Sequence, residues 1–393
     1  MTAPSRLIVI ILGVFTALAP LAIDMYLPAL PAIQADFAAT TTQAQITLAA
    51  FLAGFAFGPA LYGPISDGWG RKLPLYGGLG LFTLASVACL LAADIEIFTI
   101  ARFFQAIGAC AGGVIGRAMV RDVYPPQDMQ RAYASLMLVM GGAPIVAPLL
   151  GGLLIGWFGW RSIFAIQAVL GAGCLVLLHF WLKESHPPHL RHRAGLLGAL
   201  VSYGRLLADR SFMAYALAGS FGMAGLFTYI SGAPFVFIQY HNVPVDQFGW
   251  FFGANAFGFI VAGQLNGRAL GKLDRHKVLV VAQWAQVALS TALLAICATD
   301  FAGLAGLSPA LFLTIACIGF IAPNSSVLVM APRGGAVAGT ASALMGMLQF
   351  AIGAGASALV GLLHAHSAVP MAAVMLGFAL LGPLALRLLP RSK

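Results

Sequence analysis

Long apolar stretches dominate this 393-residue chain and leave few folds open to it. A helix needs about 20 mainly apolar residues to cross the roughly 30 Å hydrocarbon core of a bilayer. Only 8% of the residues are charged, whereas soluble domains carry roughly 25%. We therefore predict an all-α integral membrane protein with twelve transmembrane helices. The predicted spans are residues 7–28, 43–66, 73–93, 96–120, 131–157, 161–182, 212–238, 246–269, 277–298, 303–330, 336–362 and 368–389.

A polar segment in the middle of the chain separates the first six spans from the last six. We predict an N-terminal six-helix bundle over 1–182, a cytoplasmic linker over 183–211 and a C-terminal six-helix bundle over 212–393. The loop GPISDGWGRKLPL at 63–75 is echoed by NGRALGKLDRHKVL at 266–279. Weak similarity between halves is typical of transporters built from repeats, whose binding site lies between the repeats near the membrane midplane. The sequence thus predicts two pseudo-symmetric bundles with a site between them.

The basic residues alternate with the predicted spans. If the N-terminus is cytoplasmic, all of the 21 Lys and Arg residues except Arg102 and Arg161 fall on or near the cytoplasmic side, as the positive-inside rule requires. The formal charge of +9 does not indicate nucleic-acid binding, which needs basic residues gathered on one face. We expect a multi-pass protein of the bacterial inner membrane with both termini in the cytoplasm.

Two charged residues fall within predicted spans, Asp24 in the first and Arg102 in the fourth. At 1.5 Å per residue, both are expected in the outer half of the membrane at comparable depth. A charge near the bilayer centre costs about 2.5–3.5 kcal/mol, so such residues face a cavity or a partner. Our hypothesis is that Asp24 titrates and binds a proton or a cationic substrate, with Arg102 as its electrostatic counterweight. The alternatives are a structural ion pair or an Asp24 that reaches the outer interface.

Other polar residues in the spans are candidates for lining a substrate cavity. Each of them is equally compatible with a hydrogen bond between helices. The aromatic-rich stretch 225–240 suits an apolar ligand, although aromatic residues near a helix end also form interfacial belts. The cavity candidates are Tyr26, Gln105, Tyr229, Gln239, Asn255 and Gln349, with Gln167 and Gln264 as further polar positions.

The loop after the second span reads Gly63-Pro-Ile-Ser-Asp67-Gly-Trp-Gly70-Arg71-Lys72. It resembles the signature loop of the major facilitator superfamily, which latches the cytoplasmic side of the outward-facing state. Gly68 departs from the family pattern, in which a basic residue is common. By this resemblance, the latch residues here are Gly63, Asp67, Gly70, Arg71 and, after the fourth span, their charge partner Asp122.

Three further motifs extend the resemblance over nearly the whole chain. Residues 102–108, RFFQAIG, are similar to the proton-coupling motif of this superfamily. Residues 142–152, GAPIVAPLLGG, resemble its antiporter motif and give Pro144, Pro148, Gly151 and Gly152 that role, with Ala143 and Ala147 in place of two glycines. DMYLPALP at 24–31, with RDVYP at 121–125 and GAPFVFIQ at 232–239, resembles the bicyclomycin/chloramphenicol-resistance branch of drug/proton antiporters.

The resemblance implies a proton-coupled exporter that works by alternating access on small drug-like molecules such as bicyclomycin, sulfonamides or amphenicols. A major facilitator exporter of a metabolite, for instance an amino acid or a sugar, is the first alternative, and a membrane sensor without transport is the second. The sequence contains no P-loop, nucleophile elbow or metal-ligand cluster, so we expect neither an enzyme nor a cofactor. The expected partners are a small-molecule substrate, protons and the lipid bilayer, and by resemblance the protein is a monomer.

Overall fold

A computed structural model describes the chain except for residues 1–5, 192–195, 270–272, 331–335, 364–366 and 390–393. The described backbone is built of helices joined by short connections. Two of the longer helices continue into irregular turns, namely the 3-10 turn Leu27–Ala29 after α1 and the π-helical turn Phe235–Tyr240 after α9. The α-helices are α1 Arg6–Asp24, α2 Leu30–Asp36, α3 Thr41–Trp69, α4 Lys72–Leu91, α5 Ile95–Val123, α6 Pro126–Phe158, α7 Arg161–Trp181, α8 Leu196–Ala208, α9 Arg210–Pro234, α10 Val245–Ala269, α11 Arg275–Thr299, α12 Gly303–Met330, α13 Ala336–Leu362 and α14 Val369–Leu388.

Twelve segments in the described part of the chain are long and apolar enough to cross a membrane, which confirms the predicted fold class. Polar caps define where several of them begin. At the start of α3, the Thr40 hydroxyl accepts a hydrogen bond from the backbone N–H of Gln43. At the start of α5, the Asp94 carboxylate accepts one from the backbone N–H of Ile97 in the same way. Since the first backbone N–H groups of a helix have no partner within the helix, these caps fix its first turn.

The first span differs from its prediction. It continues through α2 to Asp36 rather than ending at residue 28, and it is broken after Asp24. The reason is Pro28, which has no N–H to donate to the carbonyl of residue 24 and whose ring would clash with it. The span extends over Leu7–Asp36, so Asp24 lies 17 residues from one end and 12 from the other. Asp24 is therefore closer to the middle of its span than the sequence predicted.

The interval 183–211 is not a plain polar linker. It holds a 3-10 turn at Pro188–Leu190 and helix α8, whose Tyr203 and Leu206 pack in one apolar cluster with Phe212 of α9. We call the end of the bundle where this interval lies the linker end, and the opposite end, near residues 36–41, the distal end. Among the basic residues counted above, Arg193, Lys272, Arg333, Arg391 and Lys393 lie outside the described residues.

The six spans of each half pack chiefly on one another, and two pairs of helices join the halves. Within the N-terminal half, α5 packs against α1, α3 and α4; within the C-terminal half, α9 packs against α12, α13 and α14. The halves meet where α3 packs on α13 and where α6 packs on α10. A cavity lies between these two contacts.

Candidate functional site

The main cavity lies between the two halves and has a volume of about 1150 Å³. Its linker end reaches the surface beside the exposed side chains of Asp67 and Arg121 and beside α8. Its walls are largely apolar, and aromatic rings contribute much of them. Among the described residues, the Phe and Tyr rings that line it are Phe55 and Tyr133 from the N-terminal half, Tyr203 from α8, and Phe227, Tyr229, Phe252, Phe259 and Phe350 from the C-terminal half.

At the distal end, three hydrogen bonds among the described residues join the halves. The Gln239 amide donates to Oε1 of Gln34 at 3.0 Å, and the Thr42 hydroxyl donates to the carbonyl oxygen of Gly361 at 2.6 Å. The Gln45 amide donates to the carbonyl oxygen of Ser231 at 3.3 Å. We call these three bonds the distal clasp. The cavity is therefore open toward the linker end and clasped at the distal end.

Asp24 lies on the wall of this cavity, at the point where the first span breaks. Its residue is 4% exposed. Among the described residues its carboxylate forms no salt bridge, and no hydrogen bond reaches it. An Asp24 that projects into the outer interface is thus not what the fold produces. The carboxylate is buried and faces the cavity, and within the described part of the chain it forms no salt bridge or hydrogen bond.

Arg102 is fully buried on α5 and does not form a salt bridge with Asp24 in the described part of the chain. Its Nη1 donates to the carbonyl oxygen of Ala22 at 3.1 Å, and its guanidinium carbon lies 4.3 Å from the ring centroids of both Tyr26 and Phe51. Aromatic faces attract a cation, which compensates in part for its burial. Arg102, which was predicted to balance the charge of Asp24, therefore contacts the backbone two residues before Asp24. The alternative, a structural ion pair between the two, is not observed among the described residues.

Hydrogen bonds extend from Arg102 to the helices around the break. Arg102 Nη1 also donates to Oε1 of Gln105 at 2.6 Å, and the Gln105 amide donates to Ser86 at 2.8 Å and to Gln167 at 2.7 Å. The last carbonyls of a helix lack partners within it. Arg102 donates a hydrogen bond to the carbonyl oxygen of Ala22, and the side-chain amide of Gln167 donates one to that of Leu21 at 3.4 Å. This network holds the end of α1 in place.

The remaining cavity candidates occupy several different environments. Tyr229 lines the main cavity, accepts a hydrogen bond from the Asn255 amide at 2.9 Å and stacks on Phe252. Asn255, Tyr26 and Gln105 are buried between helices, and Tyr26 hydrogen-bonds Thr47. Gln239 belongs to the distal clasp. Gln349 is partly buried and Gln264 is exposed, and neither lines the main cavity.

The antiporter-like motif on α6 packs at the same break. Pro144 lines the cavity, and Pro148 lies one turn further along the helix. A Cβ atom at Gly151 would lie 2.2 Å from the carbonyl oxygen of Met25, and one at Gly152 would lie 2.9 Å from that of Val245. The two glycines thus let α6 approach the residue after Asp24 on one side and the start of α10 on the other.

The latch residues surround Arg71, whose side chain is 1% exposed. Its guanidinium bonds Asp122 at 2.8 Å, Asp67 at 2.5 Å and the Ser66 hydroxyl at 2.9 Å. Gly70 adopts a φ of 92°, a conformation that L side chains rarely adopt, whereas Gly63 has a negative φ and open space around it. These bonds connect α3 with α4 and α5. The cavity is open at this end, so the cluster around Arg71 does not close the cavity in this structure.

Glu184, at the start of the linker interval, completes this cluster. Its carboxylate accepts hydrogen bonds from the backbone amides of Arg71 at 2.8 Å and Lys72 at 3.1 Å, at the first turn of α4. Burial raises the pKa of Glu184, but these bonds, another from the His186 amide and the charge of Arg191 outweigh it, and the pKa lies below its ordinary value. Glu184 was not among the residues predicted from the sequence, although an acidic residue directly after a span and beside a basic loop was a usable signal.

Phe51, Phe164 and Ser86, which surround Arg102 and Gln105, were also missed. No sequence signal distinguishes them from other apolar or small residues in the spans.

In the described part of the chain, twelve candidate spans in two halves surround a cavity that is open at one end, which is the architecture of a membrane transporter. The profile of the Major Facilitator Superfamily matches residues 12–358. The chain belongs to this superfamily. The chain is 37% identical over 377 residues to the uncharacterized MFS-type transporter YdgK of Bacillus subtilis, with 95% of this chain and 93% of that protein covered.

A second relative places the chain in the drug-resistance branch. The chain is 30% identical over 371 residues to the bicyclomycin resistance protein homolog of Haemophilus influenzae, covering 92% of this chain and 91% of that protein. Among solved structures, a D-xylose-proton symporter superposes with a TM-score of 0.75 over 99% of both chains at 16% identity. That likeness shows the fold alone. Together these findings confirm the predicted family and a multi-pass bacterial membrane protein.

Proposed function

We propose that this protein is a proton-coupled exporter that exchanges protons for small, largely apolar drug-like molecules by alternating access. The observation that carries the proposal is the Asp24 carboxylate on the wall of a large aromatic cavity between the halves. It is buried there and forms no salt bridge or hydrogen bond with any residue that the structure describes. Ionisable residues at such positions in membrane proteins mark proton relays and substrate paths. The names of relatives, a bicyclomycin resistance protein homolog and a chloramphenicol resistance protein, support a substrate class of small drug-like molecules.

In this proposal, Asp24 alternates between a proton and the substrate. A carboxylate in an apolar cavity is most stable when it is neutralised, either by protonation or by a bound cationic or donor group. Substrate entering from the linker end would displace the proton, and reprotonation from the distal end would release the substrate there. Each charge moved across 100 mV is worth about 2.3 kcal/mol, so one proton per cycle supplies a useful driving force.

The proposed orientation places the linker end and both termini in the cytoplasm. It rests on the distribution of basic residues along the chain. The observed cavity then corresponds to an inward-open state. Arg102 has a positioning role in this scheme, because its hydrogen bond to Ala22 holds the end of α1 whose last residue is Asp24.

The experiment compares wild-type protein with Asp24→Asn in proteoliposomes carrying a pH-sensitive dye. Addition of a drug panel to wild type is expected to release protons in a drug-dependent manner, and Asp24→Asn is expected to lose this signal. Asp300→Asn is the matched control, because Asp300 is exposed, lies outside the cavity and has a left-handed backbone that asparagine accepts.

Each other result has a distinct meaning. Proton release that persists in Asp24→Asn refutes the role of this carboxylate. Release that responds to amino acids or sugars but not to drugs favours the metabolite exporter. Absence of any linked flux in wild type, with the protein folded, favours a sensor without transport.

A further inference from the structure

Helix α13 meets α3 closely at the distal end, where Gly361 lies in the last turn of α13. A Cβ atom added at Gly361 would lie 3.0 Å from Oε1 and 3.3 Å from Cβ of Gln45, and 3.5 Å from Cα of Thr42. Gln45 and Thr42 both belong to α3, so this contact joins the C-terminal half to the N-terminal half. The missing side chain of Gly361 is what lets the two helices come this close.

The carbonyl oxygen of Gly361 is paired across the same contact. The last four carbonyls of a helix have no partner within it, and α13 ends at Leu362. The Thr42 hydroxyl supplies a partner for Gly361 at 2.6 Å. A helix end of the C-terminal half is therefore capped by a side chain of the N-terminal half. Because water can form the same bond once the halves separate, the cap stabilises closure and still leaves it reversible.

Gln45 links this contact to a second bond of the distal clasp. The residue is 3% exposed, and its Nε2 donates to the carbonyl oxygen of Ser231 on α9 at 3.3 Å. This distance is already at the long end for such a bond. The Oε1 atom of the same amide is buried beside Gly361. A methyl group at residue 361 would displace this amide, and the bond to Ser231 would then be lost.

We propose that the contact at Gly361 is the distal gate of alternating access. Glycine at this position lets α3 and α13 close, and the bonds from Thr42 and Gln45 hold them closed while the cavity is open toward the linker end. Added volume at residue 361 opposes closure and favours the distal-open state. The gate rests on the proposed transport by alternating access, but its opening is measurable without any substrate.

The test measures the separation of the halves at the distal end. Spin labels at Glu96→Cys on α5 and Gln247→Cys on α10, both exposed, report this distance by double electron–electron resonance in nanodiscs. Protein with only the five native cysteines, treated with the same label, gives the background. In the doubly labelled parent, Gly361→Ala is expected to raise the ratio of distal-open to distal-closed protein by about two- to twelve-fold, the effect of losing one neutral hydrogen bond.

Two further variants separate gating from overpacking. Gly355→Ala is the matched control on α13, because an added Cβ there meets no atom within 4 Å, and it should give the distances of the parent. Thr42→Val removes the cap on Gly361 with little change in side-chain volume, and it should shift the distances in the same direction as Gly361→Ala. If Gly361→Ala does not fold, Thr42→Val decides alone.

Unchanged distances in Gly361→Ala and Thr42→Val, or an equal shift in Gly355→Ala, would overturn the gate. A lower melting temperature without longer distances would overturn it as well, because the contact would then serve stability alone. Drug-linked proton flux separates the gate from the export function. Longer distances in both variants, with no flux in wild type, keep the gate and remove export. Flux in wild type, with unchanged distances in the variants, keeps export and removes the gate.

Discussion

Replacing Gly151 by alanine tests how closely α6 must approach the break that carries Asp24. The added Cβ would lie 2.2 Å from the carbonyl oxygen of Met25, 2.9 Å from its carbonyl carbon and 3.1 Å from its Cα. Nonbonded heavy atoms prefer separations of about 3.5–4.0 Å. All three contacted atoms belong to backbone, so no side chain can rotate away and the two segments must separate by roughly 1 Å.

The expected cost is about 1–3 kcal/mol of stability, the usual range for overpacking. The better helix propensity of alanine offsets at most about 1 kcal/mol of this. Because Met25 directly follows Asp24, the carboxylate moves with the displaced backbone. We therefore expect Gly151→Ala to lower the melting temperature and to reduce drug-linked proton flux.

The matched control is Gly156→Ala on the same helix, where an added Cβ meets no atom within 4 Å. Both variants are purified in one detergent, melted by the same fluorescence assay and reconstituted for flux. A Gly151→Ala protein that melts and transports like Gly156→Ala would show that this close approach is not required.

Two further changes test the buried charges and the linker junction. Arg102→Lys keeps the charge but cannot reproduce the planar contacts with two rings and the bonds to Ala22 and Gln105. We expect it to lower the free energy of unfolding by about 1.5–3 kcal/mol, the value of one charged hydrogen bond. The control variant Arg121→Lys, at an exposed site, should melt like wild type. Glu184→Gln should lower the melting temperature at neutral pH. Since the folded-state pKa of Glu184 is depressed, its contribution is present above the unfolded-state pKa and lost as the pH falls through the folded-state value. The gap between variant and wild type should therefore close below about pH 4, and a gap that stays constant with pH would contradict this assignment.

The order and approximate ends of the twelve spans were readable from the sequence, because transfer of a helix into lipid depends on the summed hydrophobicity of local residues. The same local reasoning picked out Asp24 and Arg102 as charges that need an explanation. It also found the motif that surrounds Arg71, since the loop and Asp122 carry a recognisable pattern. Apart from Asp122, which lies 51 residues from Arg71 in the chain, these features are determined by residues near one another in sequence.

The direction in which each polar side chain points was decided by tertiary packing. Asp24 and Arg102 lie on neighbouring helices, yet only Asp24 faces the cavity, while Arg102 turns toward Ala22 and two aromatic rings. Asn255 pairs with Tyr229, and Gln239 reaches across to Gln34 more than 200 residues away in sequence. Hydropathy measures whether a residue enters the membrane, but its partner depends on helix rotation and on contacts between the two halves, which no local pattern encodes.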